Sequence, residues 1–340
     1  MTAVLMLAAL PACAQAPADN PTLTAVEGIL VGHHTLAERP TGCTVILADG
    51  LVVAGVSQRG SAPGTRDTDL LESANAADRV DAVVFSGGSA FGLDVATGVM
   101  RWIDEGHGPW ARRPTDVPIV PAAVLIDLWV GGQPSIRPGA DCGYRAASKA
   151  SRAAVEEGSV GAGAGATVGK LTGLDRAMKG GIGSAAIVLP GGLRVAALAA
   201  VNALGDVVDP SSGVVIAGAR ADDGSLRDAR KLLRTGATVQ RTRVSENTTL
   251  AVVATNAHLT KAEANRVALM ADAGIARAVT PAHTTADGDT VFALATGRWN
   301  GRGDLSEIGA LAADVLAEAI VRAVKRATTV AGIPAVRDLK

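Results

Sequence analysis

The sequence predicts an α/β fold with several sheets. Three observations carry that reading: strand-like and helix-like stretches alternate along the chain, no internal repeat interrupts them, and glycines cluster where predicted strands run into helices. Glycine suits such junctions because it lets the backbone turn sharply or pass close to a ligand.

Residues 44–47 and 51–56 are apolar β-type runs flanking Asp49-Gly50, which predicts a hairpin. Residues 81–85 form a strand that runs into Ser86-Gly87-Gly88-Ser89-Ala90-Phe91-Gly92, and 93–103 reads as a helix. Residues 118–120 and 124–126 suggest another paired region, and the Ala-rich stretch 146–157 predicts a helix. Residues 185–190 and 194–201 are strand-like, and 222–233 is a loop or short helix. In the run after Asn247, Leu250, Val252 and Ala254 face one side while Ala251, Val253 and Thr255 face the other. Thr260 and Glu263 form a capping-box pattern for a helix to about Val279. Residues 291–295 are a strand, and 306–328 is a closing amphipathic helix with apolar residues at 308, 311, 312, 315, 316, 319, 320 and 323.

A chain of 340 residues holds one large domain or two smaller ones, and its 48% hydrophobic content is ample for a core. The 32 basic and 33 acidic residues leave a net charge of -1 without long like-charge runs, and only 2% of residues are aromatic. Neither an electrostatic footprint nor a stacking platform for nucleic acid results. Beyond the N-terminus no apolar run approaches transmembrane length, so the mature protein is expected to be soluble or merely tethered.

Residues 1–20 read as an export signal, with 21–340 as a single domain. Residues 3–12 are apolar but too short to span a bilayer, and Ala12-Cys13-Ala14 or Ala14-Gln15-Ala16 offers small-residue cleavage sites. The customary positive n-region is missing. Leu10-Pro11-Ala12-Cys13 also loosely resembles a lipoprotein box, in which Cys13 is lipidated, although Pro11 is awkward there. The expectation is an exported, periplasmic protein; a misassigned start would leave a cytoplasmic one. The remaining Cys43 and Cys142 either pair in an oxidising compartment or stay buried thiols, the commoner state for two isolated cysteines. His33-His34, His107, His258 and His283 lack zinc-ligand spacing, so neither metal nor cofactor is expected.

The segment Asn247-Thr248-Thr249 has an ordinary reading as a strand start and a chemical one. If the Asn247–Thr248 bond is cut, Thr248 becomes an N-terminal residue carrying both a hydroxyl nucleophile and its own amine base. Residues 204–247, rich in Gly, Asp, Ser and Arg, suit an exposed linker upstream of it. Exposure alone marks a nicking site; a self-cleaving bond needs a built site that holds its carbonyl for attack. Two other motifs fail on inspection. Gly165-Ala166-Thr167-Val168-Gly169-Lys170-Leu171 lacks the Walker glycine at Ala164 and the Ser or Thr at Leu171. Gly87-Gly88-Ser89-Ala90-Phe91 is not a nucleophile elbow, because its closing glycine is displaced to 92, which leaves a Ser89, Asp206 and His283 triad with little support.

Several motifs stand in a common order: Val31-Gly32-His33, Thr41-Gly42-Cys43-Thr44-Val45, Ser86 to Leu93, Gly161-Ala162-Gly163 with Gly169-Lys170, Val201-Asn202, Asn247-Thr248-Thr249 with Thr255-Asn256, and His283-Thr284 with Asp287-Gly288-Asp289-Thr290. In this the chain strongly resembles the L-aminopeptidase/D-Ala-esterase/amidase family, which includes β-peptidyl aminopeptidases and nylon-oligomer hydrolases, over roughly residues 25–335. The resemblance implies a four-layer α-β-β-α sandwich that cuts itself before a Ser or Thr, here Thr248, into an α-chain (about 21–247) and a β-chain (248–340). It also implies a homotetramer of processed protomers.

By the same resemblance, Thr248 is the nucleophile and its amine, titrating near pH ~8, the base. Asn202 aligns with the oxyanion donor, a neutral amide with no proton to lose. Lys170 aligns with a catalytic-site lysine of the nylon-hydrolase branch, and Thr285 and Asp287 align with the pair that positions the nucleophile. Thr285 stands where an acid or Ser can occur, and Asp287-Gly288 also reads as a hairpin turn. Ser86, Gly87, Gly88, Ser89 and Phe91 are expected to line the substrate pocket. Ile126 replaces a tyrosine found in some members, which changes one contact and the substrate preference. The leading expectation is an aminopeptidase acting on small peptides, amides or esters; ω-amino acid oligomers are the alternative. A transferase similar to ornithine acetyltransferase lacks its Ala-Thr cleavage context here, and an unprocessed binding protein would keep the chain intact.

Overall fold

The computed structural model describes residues 20–108, 115–236 and 247–339. The expected export segment up to residue 19, with Cys13, and the 237–246 part of the expected linker lie outside the described residues.

In chain order the first half comprises β1 (Ile29–Thr35), β2 (Gly42–Gln58), β3 (Thr65–Arg66), β4 (Val80–Ser86), α1 (Val95–Asp104), β5 (Ala122–Val124) and α2 (Ala140–Ser148). The second comprises β6 (Thr167–Val168), β7 (Met178–Lys179), β8 (Gly181–Val188), β9 (Arg194–Asn202), β10 (Asp206–Val208), β11 (Val215–Ala217), α3 (Ala229–Arg234), β12 (Thr248–Thr255), α4 (Lys261–Ala278), β13 (Val279–Thr280), β14 (Thr290–Ala295) and α5 (Leu305–Arg326). The main hydrogen-bonded order is β3-β5-β4-β2-β14-β12-β9-β8, with β1 also on β2.

Strand β2 links two packed sheets. Its first half pairs with β1 and β4, and its second half with β14. No hairpin forms at Asp49-Gly50. The chain advances from Leu47 to Val52 on β2 while β4 moves only from Ala82 to Val80, so the turn signal becomes a bulge, with Gly50 at φ +104°. Each flanking run finds a different neighbour, and tertiary pairing overrides the local hairpin preference.

Three apolar seams separate four layers. Val45, Leu47, Ala82 and Val84 pack on Val95, Val99, Ile103 and Ala146 of α1 and α2. Between the sheets, Ile46, Val83 and Phe85 meet Leu198, Leu250, Val252 and Phe292, and the Phe85 and Phe292 ring centroids lie 6.2 Å apart. On the far side, Ala197, Ala199, Ala251, Val253 and Ala293 pack on α4 and α5 through Ala268, Ile275, Leu316 and Ile320. The arrangement is α-β-β-α, and β12 presents its two faces as its alternation predicts. Small residues let the helix layer lie close: a Cβ at Gly183 would come within 2.0 Å of the Ala319 carbonyl.

Local signals explain most boundaries. The Thr260/Glu263 capping box is formed, and Asp304 caps α5 by accepting from the Glu307 N–H at 2.9 Å. Helix α2 begins earlier than the alanine pattern suggests and ends at Ser148, because Ser151 pairs with Val31 and draws the chain into an extended path. Residues 118–126 do not pair with each other: β5 runs parallel to β4, and Ile119 accepts from the Asp81 N–H at 2.9 Å. The start of the expected linker is instead core. Leu204, Val207 and Val208 are buried, and β10 pairs with β11 and β13. Cys43 on β2 and Cys142 on α2 form a buried disulfide with Cα atoms 6.2 Å apart, tying the first helix layer to its sheet. Among the described residues, no helix is long and apolar enough to cross a membrane.

Candidate active site

Thr248 opens β12 directly opposite Asn202, the last residue of β9. Antiparallel residues in register project from the same face of a sheet, so the two side chains share one end of the sandwich. Thr248 is 4% exposed, and its hydroxyl donates to the carbonyl of Asn247. That carbonyl also accepts from the Gly288 N–H at 2.9 Å. Two donors thus converge on the oxygen of the peptide bond that precedes Thr248. Gly288 admits this approach because a Cβ there would lie 2.6 Å from the Ala62 carbonyl and 2.9 Å from Thr248 Oγ1.

Asn202 is held from three sides. Its Oδ1 accepts from Thr167 N at 3.0 Å and from Lys170 Nζ at 3.1 Å, and its Nδ2 donates to the Ile126 carbonyl at 3.2 Å. Lys170 Nζ also donates to the Asn202 carbonyl at 2.9 Å, so this fully buried side chain grips Asn202 through both main chain and side chain. Ile126 is therefore at the site through its backbone, although its side chain brings no hydroxyl.

Two acidic residues lie against the Asn247–Thr249 backbone, Asp287 through its main chain and Asp289 through its carboxylate. Asp287 bridges to Asn247 in parallel register, and its Oδ2 accepts from Thr284 N at 2.8 Å and Thr284 Oγ1 at 2.6 Å. Burial, reinforced by the neighbouring Asp289 charge, raises the Asp287 carboxyl above its ordinary range, against the pull of Thr284. Asp289 Oδ1 accepts from the Thr249 N–H at 2.7 Å, and its Oδ2 lies 2.9 Å from His283 Nδ1. Burial pulls the His283 imidazolium down, but the Asp289 contact and the Asp289 and Asp272 charges outweigh it, and His283 titrates above its usual value. Thr285 is exposed, whereas Asp289 takes a place in the cluster that its spacing made legible: residues 287 and 289 are two apart and share a face of an extended chain.

The predicted pocket loop is tied to its neighbours by hydrogen bonds. Ser86 is buried at the end of β4, and Gly87 donates to the Gly42 carbonyl at 2.9 Å. Gly88 and Ser89 are left-handed, at φ +84° and +58°. The Gly88 N–H donates to Asp127 Oδ1 at 2.9 Å, and Ser89 N to the Leu125 carbonyl at 3.0 Å. Asp127 is in turn paired with fully buried Arg39 at 2.8 Å and accepts from Thr41 Oγ1 at 2.6 Å. Phe91 remains 59% exposed. Neither the Arg39–Asp127 pair nor buried Lys179 is evident from the sequence. Lys179 Nζ donates to the carbonyls of Ala164 and Ala166 at 2.8 and 2.7 Å, bracing the turn that offers Thr167 N to Asn202. Burial brings its pKa down to about 7, with the Asp127 charge opposing.

Asp206 belongs to the same wall but not to a triad with Ser89 and His283: its carboxylate accepts from Ala219 N at 3.0 Å and Ala229 N at 2.7 Å. Burial pushes it up to about 6, against those two hydrogen bonds. The folded chain thus keeps a proton that the unfolded chain releases nearer pH ~4, so this group's contribution to stability falls as pH rises from about 4 to about 6. Asp206→Asn is expected to flatten the dependence of the urea midpoint on pH across that window; a slope equal to wild type would refute it. Among the described residues no group of three or more His, Cys, Asp or Glu side chains is placed to hold a metal ion.

Known proteins share this architecture. The sequence profile of peptidase family S58 matches residues 21–337. An uncharacterized aminopeptidase of Mycobacterium leprae is 43% identical, over 92% of this chain and 92% of its own. A 6-aminohexanoate-oligomer endohydrolase of Kocuria sp. is 28% identical, over 88% and 84%. Among solved structures, a β-aminopeptidase of Burkholderia sp. matches with a TM-score of 0.65 at 23% identity, over 93% of this chain and 90% of that one. The L-aminopeptidase D-Ala-esterase/amidase of Ochrobactrum anthropi, described as a variant of the Ntn hydrolase fold, matches with a TM-score of 0.68 at 20% identity, over 91% and 86%. With the fold shared and the family profile spanning nearly every described residue, this chain belongs to peptidase family S58 and is a hydrolase of the aminopeptidase kind.

Proposed function

We propose that the chain cleaves itself between Asn247 and Thr248, and that the freed Thr248 hydrolyses short peptides, amides or esters carrying an N-terminal amine. The observation that carries this is the Asn247 carbonyl, whose oxygen accepts from both the Thr248 hydroxyl and the Gly288 N–H. In the first reaction Thr248 Oγ1 adds to the Asn247 carbonyl carbon, the Thr248 nitrogen leaves, and water hydrolyses the resulting ester. Cleavage frees an α-amine with an ordinary pKa near ~8, able to take the hydroxyl proton in later turnovers. Asn202 Nδ2 donates to the developing oxyanion, Lys170 holds Asn202, and Asp287 and Asp289 orient the segment.

Short ω-amino acid oligomers are the second substrate class, favoured by the relative named for 6-aminohexanoate oligomers. In the same reading residues 21–340 form one processed domain, exported and assembled as a homotetramer. The Cys43–Cys142 disulfide favours an oxidising compartment. A denaturing gel with N-terminal sequencing tests the proposal: a band of about 93 residues beginning Thr248-Thr249 is expected, and a single stable chain that still hydrolyses amides would overturn it. A panel of amino-acid p-nitroanilides, amides and 6-aminohexanoate oligomers then ranks the substrate classes.

A further inference from the structure

We infer that Arg137 and Phe91 form a carboxylate-recognition subsite beside the Ser86–Phe91 turn, selecting substrates that carry a carboxylate. The inference rests on the aminopeptidase reading above and adds the substrate chemistry. The guanidinium carbon of Arg137 lies 3.6 Å from the centroid of the Phe91 ring. Stacking of this kind orients the planar fork while leaving its edge N–H groups free for a planar anion, the geometry in which arginine binds carboxylates through two bonds at once. Among the described residues no carboxylate lies within 4.0 Å of Arg137.

The fork is held on a built frame. Fully buried Arg39 donates to the Ile136 carbonyl at 2.8 Å and to the Val130 carbonyl at 3.3 Å, and its pair with Asp127 ties both ends of the 127–136 loop together. Asp127 also holds Gly88, and a Cβ at Gly88 would meet Pro138 at 3.0 Å and the Arg137 Cβ at 3.4 Å. Arg137 is thereby packed against the same turn that carries Phe91. From there Ser89 bonds to Leu125, the next residue Ile126 accepts from Asn202, and Asn202 stands opposite Thr248. Arg137 is thus linked, through one continuous run of packed and hydrogen-bonded residues, to the pair that holds Thr248. A carboxylate there meets a guanidinium already stacked on an aromatic ring, which lowers the ordering cost of a charged hydrogen bond.

The carboxylate has two chemical sources: the C-terminus of a dipeptide or short oligomer, or an acidic side chain on the residue released. Four substrates separate them: a neutral dipeptide and its C-terminal amide, and the p-nitroanilides of Asp and Asn. Wild type is expected to favour one acid over its neutral partner by about ten-fold or more in kcat/KM, chiefly through KM. The pair showing the preference identifies the source. In Arg137→Met, which keeps an apolar stem on Phe91, that ratio falls toward one, and Arg137→Lys restores part of it. A merely structural role would lower acid and neutral substrates alike and leave the ratio unmoved. Wild-type ratios near one for both pairs, or a ratio unchanged in Arg137→Met, would overturn the assignment while the self-processing reading stands. No turnover of any of the four by a wild-type chain that sequencing shows to begin at Thr248 would overturn this subsite and leave the self-processing reading standing.

Discussion

Thr248→Ala is expected to leave the chain intact on a denaturing gel and to lower hydrolysis on the order of 10⁴-fold or more, because one substitution removes the nucleophile of both reactions. In the proposed mechanism the two losses are linked. The Thr248 hydroxyl already addresses the carbonyl of its own peptide bond, and the amine needed as base exists only once that bond is broken. Thr248→Ser keeps a hydroxyl at the same place and should retain some of each activity. The measurements are band pattern, N-terminal sequence and amide hydrolysis on the same preparations. Equal losses in the alanine and serine variants would argue against a hydroxyl nucleophile. Residual cleavage in the alanine variant would assign the cut to another agent.

The second large effect is on stability. Asp127→Ala removes the partner of an Arg39 guanidinium that has no contact with solvent, and it strands the Gly88 N–H and the Thr41 hydroxyl as well. A buried charge stripped of its counter-ion costs about 3–5 kcal/mol, far beyond a typical surface pair. The expected result is a lower urea midpoint with an unchanged slope, read on the purified full chain. Replacing both partners, Asp127→Ala with Arg39→Met, should cost less than the single Asp127→Ala change, because the uncompensated charge goes with its partner. A loss under about 1 kcal/mol in the single variant would contradict the pair's structural role. The same change frees the 127–136 loop and the Gly88 turn, so the carboxylate preference assigned to Arg137 should weaken with it.

Elements written in local pattern were legible from residues alone. The alternation in β12 assigns its two faces to two different seams, the Thr260/Glu263 box starts α4, and the apolar stripe of α5 faces the second sheet. Their causes act over a few residues, so the sequence displays them. The Asp49-Gly50 signal was equally visible and yielded a bulge. A turn preference is worth little against the ladders that β2 makes with β1, β4 and β14. The linker composition misled at its start, residues 204–208, for a similar reason: β10 is short and polar at its start, and only its pairing with β11 and β13 buries it.

For the site, the sequence by itself determined the chemical kinds: a Thr behind a scissile candidate, an amide, a lysine and a run of acids in a recognisable order. Tertiary structure decided which of them meet. It opposes Asn202 to Thr248, buries Lys170 against Asn202, sets Asp289 rather than Thr285 beside the strand, and closes the pocket frame with Arg39 and Asp127. Those contacts join residues up to about ninety positions apart, and their energies come from desolvation and counter-charge, which exist only once the layers close. Spacing along the chain carries the identity of such groups and none of their surroundings.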